Sequence, residues 1–230
     1  MKTNFGFTLI ALVLTTILIQ SCAKENASDV NQDKLYQYYE VFYNKNTDKT
    51  WVVARFNFGG PTGTILELDS GATVKFNNDV LPYNAVFAGH FKEFAGRITS
   101  GSFLYTNINN QTFTNSLPQV DTLAYQVDFD TLDKSQANTI TWTGSPLLAH
   151  EAVGVFIGGW TWGEDALAYQ EGDGATNLVL GITQLSTLPL GPATVYMDRA
   201  VTKNLTQATS KGGVIVAKYR CNNRVIQVVP

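Results

Sequence analysis

Short apolar runs, rich in aromatic and β-branched residues, alternate with polar turns along the chain from about residue 34 onward. No stretch keeps a 3.6-residue hydrophobic period for three turns, so long helices are not expected. Gly, Asn and Asp separate the runs at short intervals, a pattern typical of β-sandwiches. The predicted strands are 35–43, 50–58, 63–68, 73–76, 86–94, 102–106, 111–115, 122–129, 138–142, 152–158, 177–185, 193–201, 213–219 and 224–229.

An internal repeat indicates two domains of one kind. Segments 100–118 and 211–230 each contain glycine, a strand, an Asn-Asn turn, a strand and proline, which predicts the same closing hairpin twice. Upstream blocks repeat in the same order. The fold class predicted is therefore all-β, with two tandem immunoglobulin-like β-sandwich modules at 34–117 and 118–230, divided by a short linker at Pro118. The upstream blocks are 66–77 and 81–94 in the first module and 147–158 and 188–201 in the second.

The first 21 residues have the layout of an export signal. Lys2 precedes an apolar run from Phe5 to Ile19, which is shorter than the roughly 20 residues needed to span a bilayer. The following Ile19-Gln20-Ser21-Cys22 resembles the lipobox of bacterial lipoproteins. That resemblance implies cleavage after residue 21 and diacylation of Cys22, which would anchor the mature chain through buried methylenes. A free cysteine that ends an ordinary signal peptide is the alternative.

The residues after Cys22 extend this resemblance. Lys24 followed by Glu25 is similar to the start of mature Bacteroidota lipoproteins, and the whole chain resembles their outer-membrane lipoproteins with tandem immunoglobulin-like domains. The resemblance implies an outer-membrane location through the N-terminal lipid, and either leaflet is compatible with it. Residues 22–33 are polar and aperiodic, so we predict a flexible tether there.

Charge and cysteine content narrow the possible partners. Loss of the signal removes one of 16 basic residues and none of the 19 acidic ones, which leaves a net charge of −4. Nucleic-acid binding normally needs a basic stripe, so no nucleic-acid partner is expected. With Cys22 acylated, Cys221 has no thiol partner, and neither a disulfide, a metal site nor any other cofactor is predicted.

The second module carries an insertion at about 159–185 that combines aromatic and acidic residues. The matched blocks are separated by 4 residues in the first module and by 30 in the second. Loops on a rigid sandwich often bind ligands, and exposed aromatic rings suit sugars or protein partners. The alternative is that the two tryptophans belong to the core and the acids are merely solvated. The predicted ligand-binding residues are Trp160, Trp162, Glu164, Asp165, Tyr169, Glu171 and Asp173.

No catalytic motif stands out. The only histidines, His90 and His150, have no metal-ligand spacing, and no GxSxG elbow is present. His150-Glu151 is interpreted as a surface or edge pair rather than an acid–base unit. Because glycosidase carboxylates need only meet in space, a hydrolase stays open as an alternative. We predict a non-enzymatic protein that binds a glycan or an envelope protein, with a polysaccharide hydrolase or a structural spacer as alternatives.

Two further patterns involve aspartates of the second module. Asp128, Asp130 and Asp133 alternate out of a strand and offer oxygen ligands to calcium, although a solvated turn is favoured because the spacing is not that of an EF-hand. Thr122 and Thr131 each follow an aspartate and precede a leucine, which resembles the O-glycan acceptor of exported Bacteroidota proteins. Thr131, in the predicted turn, is the better candidate of the two.

Overall fold

The structure is a computed structural model that describes residues 25–158, 161 and 163–230; the predicted signal peptide and Cys22 lie outside this range. The strands of the first half are β1 (Glu25–Asn26), β2 (Leu35–Asn44), β3 (Lys49–Phe58), β4 (Thr64–Glu67), β5 (Thr73–Phe76), β6 (Asp79–Val80), β7 (Tyr83–Asn84), β8 (Gly89–Ala95), β9 (Ser102–Thr106) and β10 (Thr112–Ser116). Two short 3-10 helices, Ala27–Asp29 and Gln32–Lys34, lie between β1 and β2.

The second half contains nine strands and one short helix. They are β11 (Ala124–Tyr125), β12 (Thr131–Asp133), β13 (Asn138–Thr143), β14 (Glu151–Gly158), β15 (Asp165–Gln170), β16 (Asn177–Leu180), α1 (Ile182–Leu185), β17 (Gly191–Asn204), β18 (Gly213–Arg220) and β19 (Arg224–Val229). The protein is thus all-β with several sheets. Within the described residues, no helix is long and apolar enough to cross a membrane.

One large mixed sheet runs through both halves of the molecule. Its main path is β1-β4-β3-β2-β18-β17-β14-β15, and β7, β8, β12 and β19 join it at the sides. A four-stranded sheet, β10-β9-β5-β6, packs on it in the first half, and a three-stranded sheet, β11-β13-β16, packs on it in the second. The opposite side of the large sheet, here called the outer face, is covered by neither small sheet.

Each half has its own hydrophobic core between the large sheet and a small one. In the first core the rings of Tyr39 and Phe103 stack with centroids 4.4 Å apart. In the second core Trp142 and Leu178 of the small sheet face Val155 of the large sheet. These fully buried side chains point inward from alternate strand positions, as the pleat requires.

Two tandem immunoglobulin-like modules are not confirmed, because the two halves are joined within the large sheet. Strand β18 of the second half lies parallel to β2 of the first, from Gly213 opposite Gln37 to Arg220 opposite Asn44. The predicted closing hairpin is present in the first half, where β9 and β10 pair. In the second half β18 and β19 do not pair with each other; both pair with β17, one after the other.

The predicted tether at 22–33 also differs from the structure, because residues 25–33 are packed against the first half. Strand β1 pairs in parallel with β4, and Ala27 is fully buried. The Ser28 backbone N–H and hydroxyl donate to the Asp69 carboxylate at 2.9 and 2.6 Å. The Gln32 side chain donates to the Ala27 carbonyl at 2.6 Å. Polar residues here satisfy one another's hydrogen bonds, and a single buried alanine fixes the segment.

Candidate functional site: the outer face of the large sheet

The predicted insertion contributes the last strand of the large sheet. Strand β15 pairs with β14, and it buries Ala166 and Ala168 in the second core. The alternate residues Leu167 and Tyr169 are 65% and 71% exposed on the outer face. The insertion's two strands do not pair with each other, because β16 belongs to the small sheet. One exposed leucine and one exposed tyrosine therefore lie on the outer face at this end of the sheet.

The other predicted ligand-binding residues lie around β15. Glu164 and Asp165 are exposed at its start, and Glu171 and Asp173 are exposed in the segment that follows it. Trp160 and Trp162 lie outside the described residues. The structure thus brings Asp165 and Tyr169 onto one face, whereas Glu171 borders a separate groove.

Backbone pairing at the free edge of β15 is partly blocked. The Gln184 side-chain amide donates to the Leu167 carbonyl at 3.0 Å, and the Thr187 hydroxyl donates to the Asp165 carbonyl at 2.7 Å. An open strand edge normally invites another strand, and proteins cover such edges with helices or loops. Since these side chains come from α1 and the turn after it, the accessible surface of β15 is its side-chain face rather than its edge.

Aromatic side chains continue from β14 across the outer face into the first half. Phe156 and Tyr196 have ring centroids 5.8 Å apart, and the Arg220 guanidinium lies 5.4 Å from the Tyr196 ring and 5.1 Å from the Phe42 ring. Phe42 then contacts Trp51 at 5.9 Å. The aromatic strip is defined as Phe156, Tyr196, Phe42, Trp51, Phe87 and Phe91, with Arg220 between Tyr196 and Phe42.

The strip ends at β8 and the segment before it. The Trp51 ring contacts Phe87 at 5.6 Å and Phe91 at 6.2 Å, and Phe87 and Phe91 stack at 3.9 Å. Trp51 is 37% exposed. Since strands lie about 4.8 Å apart, the six strands from β14 to β8 place rings along about 24 Å of surface. The strip crosses the β18–β2 contact, so neither half forms it alone.

A gap in the outer face lies beside Tyr169. Gly154 stands opposite both Tyr169 of β15 and Asp198 of β17 in the sheet register. A Cβ atom placed on Gly154 would meet no atom within 4 Å. The absence of a side chain there leaves one side of the Tyr169 position open.

Charged groups beside the strip are held in pairs. Arg220 contacts Asp198 through two N–O contacts of 2.6 and 2.7 Å, and Lys218 binds Glu40 at 2.8 Å. On β8, Glu93 accepts from Lys49 at 2.6 Å and from the Trp51 indole N–H at 2.9 Å. Hydrogen bonds from Lys49 and then Trp51 lower the pKa of Glu93. Because each of these carboxylates faces a cation, the face carries fixed polar groups with little local charge excess.

Sequence reasoning located the β15 end of this face and missed the part on β2 and β3. The signal that was missed is that β2 carries aromatic side chains on both of its faces. Tyr39 points into the core, whereas Tyr38 and Phe42 point outward. A strand with one solvated face normally alternates apolar with polar residues. Aromatic residues on both faces of β2 and Trp51 at an outward position of β3 indicate a second use for the outer face.

A groove of about 680 Å³ near the start of β14 brings two carboxylates together. It is lined by Glu151 and Glu171, with His150, Lys203 and Asn204 nearby. His150 is exposed, as expected of a surface residue. Glu151, which was also predicted to lie at the surface, is buried and only 7% exposed. Its carboxylate accepts from Arg199 and from the Leu148 N–H at 3.0 Å.

The partner of Glu151 has a structural role. Arg199 is fully buried, and it donates to the carbonyls of Ser145 and Pro146 at 2.9 and 3.0 Å. The pair therefore ties the segment before β14 to β17. The Glu151 carboxylate is thus engaged by Arg199 and by the Leu148 N–H in holding this part of the fold together.

The aspartates considered for calcium are mostly committed to turns. Asp133 accepts from the Ser135 N–H and hydroxyl at 2.8 and 2.7 Å and from Gln136 at 2.7 Å. These hydrogen bonds lower the Asp133 pKa, and the bond from the Ser135 hydroxyl contributes most to the shift. Asp128 and Asp130 are exposed. In the part of the chain that the structure describes, no three His, Cys, Asp or Glu side chains are grouped as metal ligands.

Both predicted O-glycan acceptors are accessible. Thr131 is exposed at the start of β12, not in a turn, and its hydroxyl donates to Asp130 at 2.9 Å. Thr122 is exposed in the segment before β11. Accessibility is a requirement for modification, and glycosylation at either residue stays a prediction.

His90 and Cys221 are buried in the two halves. His90 accepts from the Leu68 N–H at 3.2 Å, and its Nδ1 lies 3.0 Å from the Leu81 carbonyl, so a neutral ring with a proton on Nδ1 satisfies both. Burial lowers the His90 pKa. Burial raises the pKa of the Cys221 thiol to about 11. Both residues thus have structural environments.

Comparison with known proteins identifies no family for this chain. No family model matches the chain, and no curated protein matches it. One similar solved structure is described as "Structural insight into host cell surface retention of a 1.5-MDa bacterial ice-binding adhesin", with 11% identity and a TM-score of 0.24. The match covers 86% of this chain and 66% of that chain, so this protein spans just under two thirds of its length. The chain is a mostly-β protein by its own strands, and its similarity to that bacterial adhesin structure is weak.

Proposed function

We propose that this protein is a lipid-anchored, non-enzymatic outer-membrane protein that binds a neutral glycan chain on the outer face of its large sheet. The lipid anchor is the acylated Cys22, and either membrane leaflet is compatible with this function. The observation that carries the proposal is the aromatic strip from Phe156 to Phe91. It continues toward the exposed Tyr169 at the end of the sheet.

The chemistry of this face suits an extended sugar polymer. The apolar C–H face of a sugar ring packs on aromatic rings, while its hydroxyls need fixed hydrogen-bonding groups beside those rings. Asp198, Glu40 and Glu93 are such groups, each oriented by a bonded cation. Because these three carboxylates are paired with cations, the central part of the face presents little net charge to a uronate or a cationic polymer, and a neutral glycan fits best there.

The experiment compares binding of a neutral glucan and a neutral galactomannan with binding of polygalacturonate, by affinity electrophoresis. Trp51→Ala and Tyr169→Ala should each weaken binding of a neutral polymer about five-fold, since one lost aromatic contact is worth on the order of 1 kcal/mol. Val179→Ala is the matched control, because Val179 is 56% exposed on the small sheet, away from the outer face.

Gly154→Thr provides a sharper variant. A Cβ added at Gly154 meets no atom within 4 Å in the folded protein, and threonine is favoured over glycine in strands, so stability should be kept or raised. It should nevertheless weaken glycan binding, because it fills the gap beside Tyr169. Unchanged affinity in folded Gly154→Thr, Trp51→Ala and Tyr169→Ala would refute the outer face as the site. Capture of an envelope protein that the same variants lose would instead identify a protein ligand.

A further inference from the structure

The packed N-terminal segment leaves little chain between the predicted lipid and the folded protein. Glu25 and Asn26 form β1, and Ala27 is fully buried two positions after Glu25. The two hydrogen bonds from Ser28 to the Asp69 carboxylate fix the segment to the turn that follows β4. They also hold the Asp69 pKa below its usual range. Residues 25–33 therefore belong to the folded protein rather than to a flexible tether.

Cys22 precedes Glu25 by three residues. Three extended residues span at most about 10 Å. Acyl chains on Cys22 must insert into the bilayer, so β1 has to remain within about that distance of the lipid headgroups. A tether that extended to residue 33 would have allowed about 40 Å.

Strand order then determines which part of the molecule lies far from the lipid. The main path of the large sheet begins with β1 and ends with β15, seven strand steps away. At about 4.8 Å per step, β15 lies about 34 Å from β1. The anchor and the exposed Leu167 and Tyr169 are thus at opposite ends of the same sheet.

Two exposed apolar side chains lie next to β1. Ile65 of β4 directly precedes Leu66, which pairs with Glu25, and Phe58 lies across the β3–β4 contact, opposite Thr64. Both side chains are 37% exposed. The connection between these two strands, residues 59–63, contains three glycines and a proline and no charged residue. This connection can enter the headgroup region without burying a charge, while Glu25 of β1 and Glu67 of β4 stay at the level of the polar headgroups.

We propose that the end of the large sheet formed by β1, β4 and the 59–63 connection is a membrane-contact surface, with Phe58 and Ile65 against the lipid headgroups. The large sheet then stands with β1 at the membrane and β15 away from it, which presents the Tyr169 end of the binding face to the surroundings. This inference rests on the acylation of Cys22 in the proposed function, and it does not depend on which ligand binds.

The test uses the acylated full-length protein in vesicles of phosphatidylethanolamine and phosphatidylglycerol. Cys22 is consumed by lipid and Cys221 is buried, so one introduced cysteine is the reactive thiol available for a fluorophore. Thr62→Cys places the label in the 59–63 connection, and Asp173→Cys places it beyond β15; both residues are exposed. Nitroxide-bearing lipids quench fluorophores only at close range.

The expected result is strong quenching of the label at position 62 and little at position 173. Insertion of about ten Gly and Ser residues between Lys24 and Glu25 should reduce quenching at position 62, and Phe58→Ser with Ile65→Ser should reduce it further. Equal quenching at both positions, or none at either in vesicle-bound protein, would overturn the proposed surface.

Flotation of the protein with vesicles is measured first, with Cys22→Ser as the control that lacks the acyl chains. If the native protein fails to float, the acylation itself is refuted, and the membrane-contact surface is refuted with it. If the protein floats but the label at position 62 is not quenched, the lipid anchor stands and only the membrane-contact surface is wrong.

Discussion

Replacement of Arg199 by Met should destabilise the protein by about 3–5 kcal/mol, because it leaves the Glu151 carboxylate buried without its cation. Arg199 is fully buried, and Glu151 is 7% exposed, so water does not replace the lost contact. The carbonyls of Ser145 and Pro146 also lose their donors. Methionine keeps most of the apolar volume, so the loss is mainly electrostatic.

Urea unfolding followed by tryptophan fluorescence measures the effect. With an m-value of about 2–3 kcal/mol/M, the midpoint should fall by about 1–2.5 M. The double variant Arg199→Met with Glu151→Leu should recover much of this loss, since apolar replacement of both partners removes the unpaired charge. Lys49→Met is the matched control: its pair with Glu93 is solvent-exposed, and it should cost less than about 1 kcal/mol. A loss below 1 kcal/mol for Arg199→Met would refute the buried-charge reasoning.

Three further variants or conditions test other parts of the fold. Burial lowers the His90 pKa below 6.5, so the unfolded chain takes up the proton before the folded one, and stability should fall as the pH drops below about 6.5. His90→Gln should flatten this pH dependence of stability in urea titrations, whereas the exposed His150→Gln is the control and should leave it unchanged. An unchanged slope in His90→Gln would contradict the reasoning. The Cys221 thiol, whose pKa burial raises to about 11, should react with Ellman's reagent only when urea unfolds the protein, and rapid reaction in the native state would contradict its burial. Val216→Pro removes a backbone N–H donor from β18, which is paired with a strand on both sides. It should lower the free energy of unfolding by about 3 kcal/mol or more and make both halves sensitive to proteolysis. Cleavage confined to one half would show that the halves unfold independently.

Local features of the fold were predictable from sequence. The β2–β3 hairpin is confirmed, with all ten residues of β2 paired to β3, because adjacent apolar runs and a short polar turn are enough to specify it. The predicted strand 177–185 is wrong beyond Leu180, where Gly181 interrupts it and α1 follows. The predicted strand 122–129 is reduced to Ala124–Tyr125, because Arg224 binds the Gln126 and Phe129 carbonyls and holds that stretch in a turn.

The proposed binding face was only half predictable. Tyr169 and its neighbours were found because an insertion and a cluster of aromatic residues are visible along the chain. Phe42 and Trp51 were missed because strand propensity assigns aromatic residues to the core, and periodicity does not distinguish a core face from an exposed aromatic one. Their role depends on Arg220, which is 178 residues away from Phe42 in sequence and lies 5.1 Å from its ring.

The amino-acid sequence by itself predicted most of the strands and the first hairpins, because each depends on residues within a few positions of one another. The export and acylation signal at residues 1–22 is read from sequence alone and stays a prediction. Only the tertiary structure decided that β18 lies beside β2, that residues 25–33 are packed onto the sheet, and that aromatic residues from both halves form one strip. The physical reason is that parallel pairing of distant strands depends on the fit of two whole faces, and no short segment of sequence carries that information.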